Sequence, residues 1–257
     1  MKHPAIGLLR SLTRHYPLAT PRASILKLLP AIPAGYGEFA GKNGARFRGY
    51  DTTNDEVCRS LFWFGDFDPW VTDALTKLAR RGSTAIDIGA NIGATAIALA
   101  RAVGPTGQVI CFEPMPSNLE HLRQNIECNG LSQVRIEPIA LSSSVGEISM
   151  HMADRAGQAH VAEDGTTRVP KTTFDTWLAQ NPGLDISVCK IDVEGHELDV
   201  FIGMRKALQT RRLPALVFEH HGGSDAPLFS VLTGYGYKIS QLRKGFDAPT
   251  SDYTATL

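Results

Sequence analysis

Asp87-Ile-Gly89-Ala90-Asn91-Ile-Gly93 sets a carboxylate just ahead of a glycine turn, at the end of an apolar run that includes Ala85 and Ile86. A strand that turns straight into a helix brings its backbone close to whatever lies above the sheet. Glycines permit that approach, and the helix N-terminus exposes N–H groups that lack partners within the helix. Nucleotide-like ligands bind at such turns, and two classes compete here. A dinucleotide site has the pattern Gly-x-Gly-x-x-Gly, whose middle glycine admits the pyrophosphate. In this chain that place is held by Ala90 or Asn91. A carboxylate at Asp87 would repel a pyrophosphate, and it suits a ligand that carries an ammonium and a sulfonium. S-adenosylmethionine carries both. The alternative for Asp87 is a purely structural one, capping the helix or tying down the turn.

Cys-Phe-Glu113-Pro ends the next apolar run, where a carboxylate can accept both hydroxyls of a ribose. As a plain structural residue it would be a solvated glutamate before a proline turn. Two further groups of polar residues follow apolar runs: Lys190, Asp192, Glu194, His196 and Glu197, then Glu219, His220 and His221. Methyl transfer from a sulfonium is an in-line displacement, and alignment can supply up to roughly 7–11 kcal/mol of barrier reduction. An alcohol acceptor must also lose its proton, and a positioned base contributes about 10²–10⁴-fold. Asp192 is the first choice for that base, with Glu219 and His220 next. Lys190 and Asp192 share one orientation, because alternate strand residues point to the same face. His196 opens a helix whose expected apolar face is Leu198, Phe201 and Ile202, where it could simply cap or pack. A divalent metal is the competing use of these groups. Asp192 with Glu219-His220-His221 is no recognised ligand set, and adjacent histidines on an extended chain point opposite ways, so no metal is expected.

These residues need a scaffold that brings strand ends together. After residue 81, apolar runs at Ala85–Ile88, Val109–Phe112, Val134–Ile139, Val188–Ile191 and Leu216–Phe218 alternate with helical periodicity, as in Leu119, Leu122 and Ile126. Alternation of this kind predicts a parallel sheet with helices on both faces, an α/β fold. Adjacent strand ends lie about 5 Å apart, so the two polar groups should face one cleft. Residues 145–170 break the rhythm with strands at Glu147–Met152 and Thr167–Val169, an excursion that leads to a helix containing Trp177. Pro227–Leu232 reads as a helix and Tyr237–Leu242 as a closing strand. Upstream, residues 1–33 interleave Leu and Ile with Lys, Arg and Pro. Two short amphipathic helices broken near Pro17 and Pro21 are expected, with contact to a membrane surface or a partner helix as the alternative. Phe62–Trp70 is rich in aromatics. It packs against the sheet on one reading and stacks on an acceptor on the other.

DIGANIG, FEP, KIDVEGHE (Lys190–Glu197) and VFEHH (Val217–His221) together resemble the FkbM family of S-adenosylmethionine-dependent methyltransferases, over about residues 62–243. The stretches IALSSSVGEISM and VPKTTFDTWL are similar to that family as well. The resemblance implies a class I, Rossmann-like methyltransferase fold with a seven-stranded, mostly parallel sheet and an antiparallel last strand. It implies methylation of hydroxyls on sugars, polyketides or related small molecules. Position by position, Asp87, Gly89, Asn91 and Gly93 would form the cofactor turn, together with Ala90, and Glu113 would bind the ribose. Ala140, Leu141 and Ser142 would border the adenine, and Asp192 would lie by the methyl being transferred. Residues 1–45 are expected to be an N-terminal helical extension and 46–257 the methyltransferase domain.

Composition narrows the alternatives. The 257 residues are 43% hydrophobic and 20% charged, with 26 Lys plus Arg against 26 Asp plus Glu. That balance, without an aromatic-basic stripe, argues against nucleic acid as partner. No apolar run reaches the roughly 18 residues that span a bilayer, and the N-terminal stretch lacks the unbroken apolar block of a signal peptide. Cys58, Cys111, Cys128 and Cys189 show no paired spacing, as expected of reduced thiols in a cytoplasmic protein. A degenerate fold kept as a scaffold would have lost the turn glycines or Glu113, and all are present. A protein acceptor stays open beside a small molecule.

Overall fold

The computed structural model describes residues 4–14, 22–32, 37–49, 55–152, 159–162, 164–221, 227–244 and 248–257. Helices α1 (Pro4–Arg14) and α2 (Arg22–Leu28) come first, then a hairpin of β1 (Glu38–Ala40) and β2 (Arg46–Arg48), then α3 (Glu56–Phe64) and α4 (Pro69–Leu78). The alternating core follows as β3 (Thr84–Ile88), α5 (Ala94–Val103), β4 (Gln108–Phe112), α6 (Pro116–Cys128) and β5 (Val134–Glu137). The excursion contributes β6 (Ala140–Leu141), β7 (Gly146–Met152), β8 (Ala159–Val161) and β9 (Thr167–Thr172). The chain then runs through α7 (Phe174–Gln180), β10 (Ile186–Ile191), α8 (Glu197–Gly203), α9 (Arg205–Gln209), β11 (Ala215–Glu219), α10 (Pro227–Gly234), β12 (Lys238–Lys244) and β13 (Ala248–Thr256).

Seven strands form the main sheet in the order β12-β13-β11-β10-β3-β4-β5. The pairs from β11 to β5 are parallel, while β13 runs antiparallel to both of its neighbours. The strand order reverses between the parallel neighbours β3 and β10, and that switch point is where open α/β sheets bind ligands. Four of the parallel strands, β3, β4, β10 and β11, are largely apolar and buried because helices cover both faces, while β5 at the edge alternates Val and Ile with Arg and Glu. One core packs α3 to α6 on the sheet, and a second packs α7 to α10 on the other face. β6, β9, β7 and β8 make a separate small sheet.

Two expectations are corrected by the chain's packing. The closing strand expected at Tyr237–Leu242 is not the last: β13 follows it and inserts between β12 and β11. Its sequence APTSDYTAT has little apolar alternation, which hid it from periodicity. The face expected for α8 is also out of phase. Leu198 and Ile202 are 55% and 42% exposed, and Val200 and Phe201 are buried instead. Glu197 sets that phase, because its inward-turned carboxylate carries the positions three and four residues later into the core. Phe62, Trp63 and Phe64 are core residues, in line with the packing reading of the aromatic run, and of its later part Phe67 reaches a cleft.

The N-terminal helices dock on α3. Arg10 Nε donates to Phe62 O at 2.9 Å with its guanidinium over the Phe62 ring, and Thr13 Oγ1 donates to Trp63 O. Arg59 donates to Leu26 O and Leu29 O, and Leu26 and Ile32 join the core. Residue 45, the expected boundary, falls inside the β1–β2 hairpin. Pro17 and Pro21 lie outside the described residues. Among those described, no helix is long and apolar enough to cross a membrane.

Candidate active site

Gly89 leaves β3 at φ 76°, followed by Asn91 at φ 50° and Gly93 at φ 92°. A Cβ on Gly89 would stand 1.8 Å from Asp192 O, so only glycine lets the ends of β3 and β10 meet. On Gly93 it would stand 2.7 Å from Leu122 Cδ1, a contact that seats α5 on α6. Gly89 N–H and Ala90 N–H both donate to Phe112 O, tying the turn to β4.

Lys190 organises the switch point. Its side chain is 5% exposed, its Nζ donates to Gly89 O at 2.9 Å, and it lies 3.4 Å from both Asp87 Oδ1 and Asp192 Oδ2. Burial alone would lower its pKa, but Asp192 and Asp87 outweigh that and hold it above the ordinary lysine value. Asp87 is fully buried, and its other oxygen accepts from Thr95 Oγ1 at 2.7 Å. It stands behind the cleft wall, not in it, so the direct cofactor contact expected for Asp87 is not what the geometry supplies. The residue that reaches the cleft in its place is Lys190. Gly93 likewise stays behind the wall.

Glu113 is buried at the end of β4. It accepts from Asn91 N–H at 2.8 Å, Met115 N–H at 2.9 Å and Asn118 Nδ2 at 3.4 Å. Burial pushes its pKa up to about 7 against those donors. Asn91 Oδ1 is buried and accepts no hydrogen bond. Gly89, Ala90, Asn91, Glu113, Ala140, Leu141 and Asp192 all line one open cleft, about 1140 Å³ with the solvent at its mouth included. Ser142 does not line it; its Oγ is 3.0 Å from His196 Nε2.

The loop after β10 is strained, with Glu194 at φ 54° and Gly195 at φ 95°. Glu197 secures it by accepting from Val193 N–H and Gly195 N–H, a role that the acidic run in the sequence did not reveal. Burial, then Asp192 and Glu219, push Glu194 up to about 8. His196 N-caps α8 by position and lines the cleft, and burial lowers its pKa.

Glu219 ends β11 inside the cleft, accepting from Ser251 Oγ at 3.3 Å with His221 Nε2 at 3.2 Å. Burial first, then Asp192, raise its pKa. His220 is a correction. Its ring lies against Phe229 at 5.6 Å and its Nε2 is buried without a hydrogen bond, so it does not reach the cleft. Neighbouring residues on an extended chain point to opposite faces, and Glu219 takes the cleft side. Asp252, directly opposite Glu219 in the β11–β13 register, also lines the cleft. Burial, followed by Asp68, Glu219 and Asp192, push it up to about 7. Neither Asp68 nor Asp252 carried a recognisable signal in the sequence. Among the described residues no three His, Cys, Asp or Glu side chains converge as a metal site.

The cleft is therefore acidic. Asp68, Glu113, Asp192, Glu194, Glu219 and Asp252 line it, and among the described residues Lys190 is the one lysine or arginine that does. That field, together with the orphaned acceptor Asn91 Oδ1, fits a ligand that brings positive charge and N–H or O–H donors.

The family model described as "Methyltransferase FkbM domain" matches residues 87–239. The chain is 31% identical over 173 residues to the Haloferax volcanii protein named hexuronic acid methyltransferase AglP, covering 66% of this chain and 69% of that one. It is 28% identical over 158 residues to the Sinorhizobium fredii protein named 2-O-methyltransferase NoeI, covering 54% of this chain and 64% of that one. The crystal structure of methyltransferase FkbM from Methylobacillus flagellatus KT superposes with a TM-score of 0.50 at 15% identity, over 79% of this chain and 55% of that one; it supports the fold alone. Domain match, sheet order and switch-point cleft agree: the chain belongs to the FkbM methyltransferase family.

Proposed function

We propose that this protein transfers a methyl group from S-adenosylmethionine to a hydroxyl of a sugar or polyketide-type small molecule. The observation that carries the reading is the acidic switch-point cleft, in which a buried lysine ties the glycine turn to Asp192. Family membership supports methyl transfer, and the names of both relatives point to carbohydrate or O-methyl chemistry.

Bound there, the cofactor would supply an electrophilic methyl on a sulfonium. Glu113 would accept ribose hydroxyls, and Asn91 Oδ1 would find its missing donor. Ile139, Ala140 and Leu141 would pack on the adenine. Asp192, held by Lys190, would face the positive end. Glu219 takes the acceptor's proton: its pKa is raised toward the working pH, which favours proton transfer, and Ser251 and His221 hold its carboxylate in place. Asp192 is the second choice for that base.

Calorimetric titration with S-adenosylmethionine, S-adenosylhomocysteine and NAD tests the cofactor. Micromolar binding of both sulfur nucleosides and none of NAD is expected, and failure of both to bind would overturn the reading. For the base, Glu219→Gln should bind cofactor normally and lose about 10²–10⁴-fold in turnover. A fully active Glu219→Gln would move the role to Asp192.

A further inference from the structure

Outside the cleft, His151 and His160 face each other across the small sheet. They are partners in the β7–β8 register, with ring centroids 5.7 Å apart and ring planes at 62°. Cross-strand partners share one face of a sheet. Their neighbours Met150 and Val161, also partners, take the other face and line the cleft. Both histidines are half-buried, and among the described residues neither ring exchanges a hydrogen bond with another protein group. Arg168 lies on the histidine face, opposite Ser149, and Glu147 at 3.8 Å offsets its charge. β8 itself is a three-residue edge strand, and in its sheet it is bonded to β7 alone.

Imidazole nitrogens suit Zn²⁺, Cu²⁺ and Ni²⁺. A Zn–N bond of about 2.0–2.1 Å sets a ring centroid about 3.2 Å from the ion, so two rings on one tetrahedral ion stand about 5.2 Å apart. The rings here are close to that spacing, and histidine χ2 is broad enough to turn one nitrogen of each to a shared point. Because the register places the second ligand in advance, its bond forms within one molecule at a high effective concentration. We propose that His151 and His160 bind one divalent transition-metal ion of the Zn²⁺ class on the outer face of this hairpin, with water at its remaining positions. The ion clips β8 to β7 and so steadies Val161 in the cleft wall. The site shares no residue with the groups assigned to methyl transfer, and it does not rest on that reading.

Calorimetric titration of the full chain with Zn²⁺ near neutral pH, any affinity tag removed, tests the site. Binding of Zn²⁺ is expected, with no matching heat from Mg²⁺, which prefers oxygen ligands. His151→Gln and His160→Gln should each weaken Zn²⁺ binding at least about tenfold. The wild type alone gives a second measure, which holds even if a variant fails to fold. Substoichiometric Cu²⁺, a paramagnetic ion, should broaden the ring-proton resonances of His151 and His160 before those of the other histidines. The clip has its own readout: exchange of the Ala162 amide, which donates to Ser149 O at 3.2 Å, should slow when Zn²⁺ is bound. No Zn²⁺ binding, binding that both variants retain, or broadening centred on other histidines would overturn the site. Unchanged exchange in protein that holds Zn²⁺ would overturn the clip.

Discussion

Replacing Lys190 by Met keeps most of the side chain's length and removes its charge. The ammonium lies 3.4 Å from Asp87, which is fully buried, and its hydrogen bond to Gly89 O holds the glycine turn. Asp192 is half-open to solvent and can rehydrate, but Asp87 cannot. Removing one partner of a buried ion pair costs about 3–5 kcal/mol, because the other charge is left without compensation. At about 2–4 °C per kcal/mol for a domain of this size, the melting temperature should fall by roughly 6–20 °C.

The sign of the pH dependence separates this account from a simple packing loss. Lys190's folded pKa is raised, so its contribution is fully present below the unfolded value of about 10.4 and is lost only as pH rises through the folded one. In the wild type Lys190's contribution is therefore even up to about pH 9. In Lys190→Met the buried Asp87 carboxylate is left without its cation, a cost that is relieved in acid, where a proton can replace the lost charge, and is felt in full in alkali. Stability then falls as pH rises, and the penalty should be larger at pH 8 than at pH 5.5. Urea unfolding followed by circular dichroism measures both, and Asp87→Asn in the same chain should return most of the loss at pH 8. A penalty under about 1 kcal/mol, or one that does not change with pH, would refute the argument.

Gly89→Ala should prevent soluble folding or abolish cofactor binding, since its Cβ would collide with Asp192 O from a left-handed backbone; a Gly89→Ala variant with an unchanged melting temperature and affinity would contradict it. Glu113 has a folded pKa of about 7, so the folded protein holds more protons than the unfolded chain between about pH 4 and 7. Its contribution therefore makes the ligand-free protein less stable as pH rises through that window. If the carboxylate accepts ribose hydroxyls, affinity for S-adenosylmethionine runs the other way, strengthening from pH 6 to 8. Glu113→Gln should abolish that rise, and calorimetry at three pH values measures both.

The parallel strands were legible because each is an apolar run framed by helical periodicity, and the glycine turn because its residue types suit one backbone path. Partnerships across the sheet were not. Lys190 is a single charge inside the run ISVCKI, which flags a buried pairing but does not name the partner. Asp87 becomes that partner because the β3–β10 register sets the two opposite each other. Contact with Lys190 then turns Asp87 from a ligand-facing carboxylate into a support for the turn. Glu219 and Asp252 show the same limit, since β13 is too polar to announce itself and only its insertion beside β11 brings Asp252 to the cleft. His220 is the opposite case. Strand alternation alone separates it from Glu219, so its exclusion was available from the sequence. What decides the chemistry here is which charges neutralise one another: Lys190 is taken by Asp87 and Asp192, and the acidity left over near Glu219 falls on whatever the cleft receives.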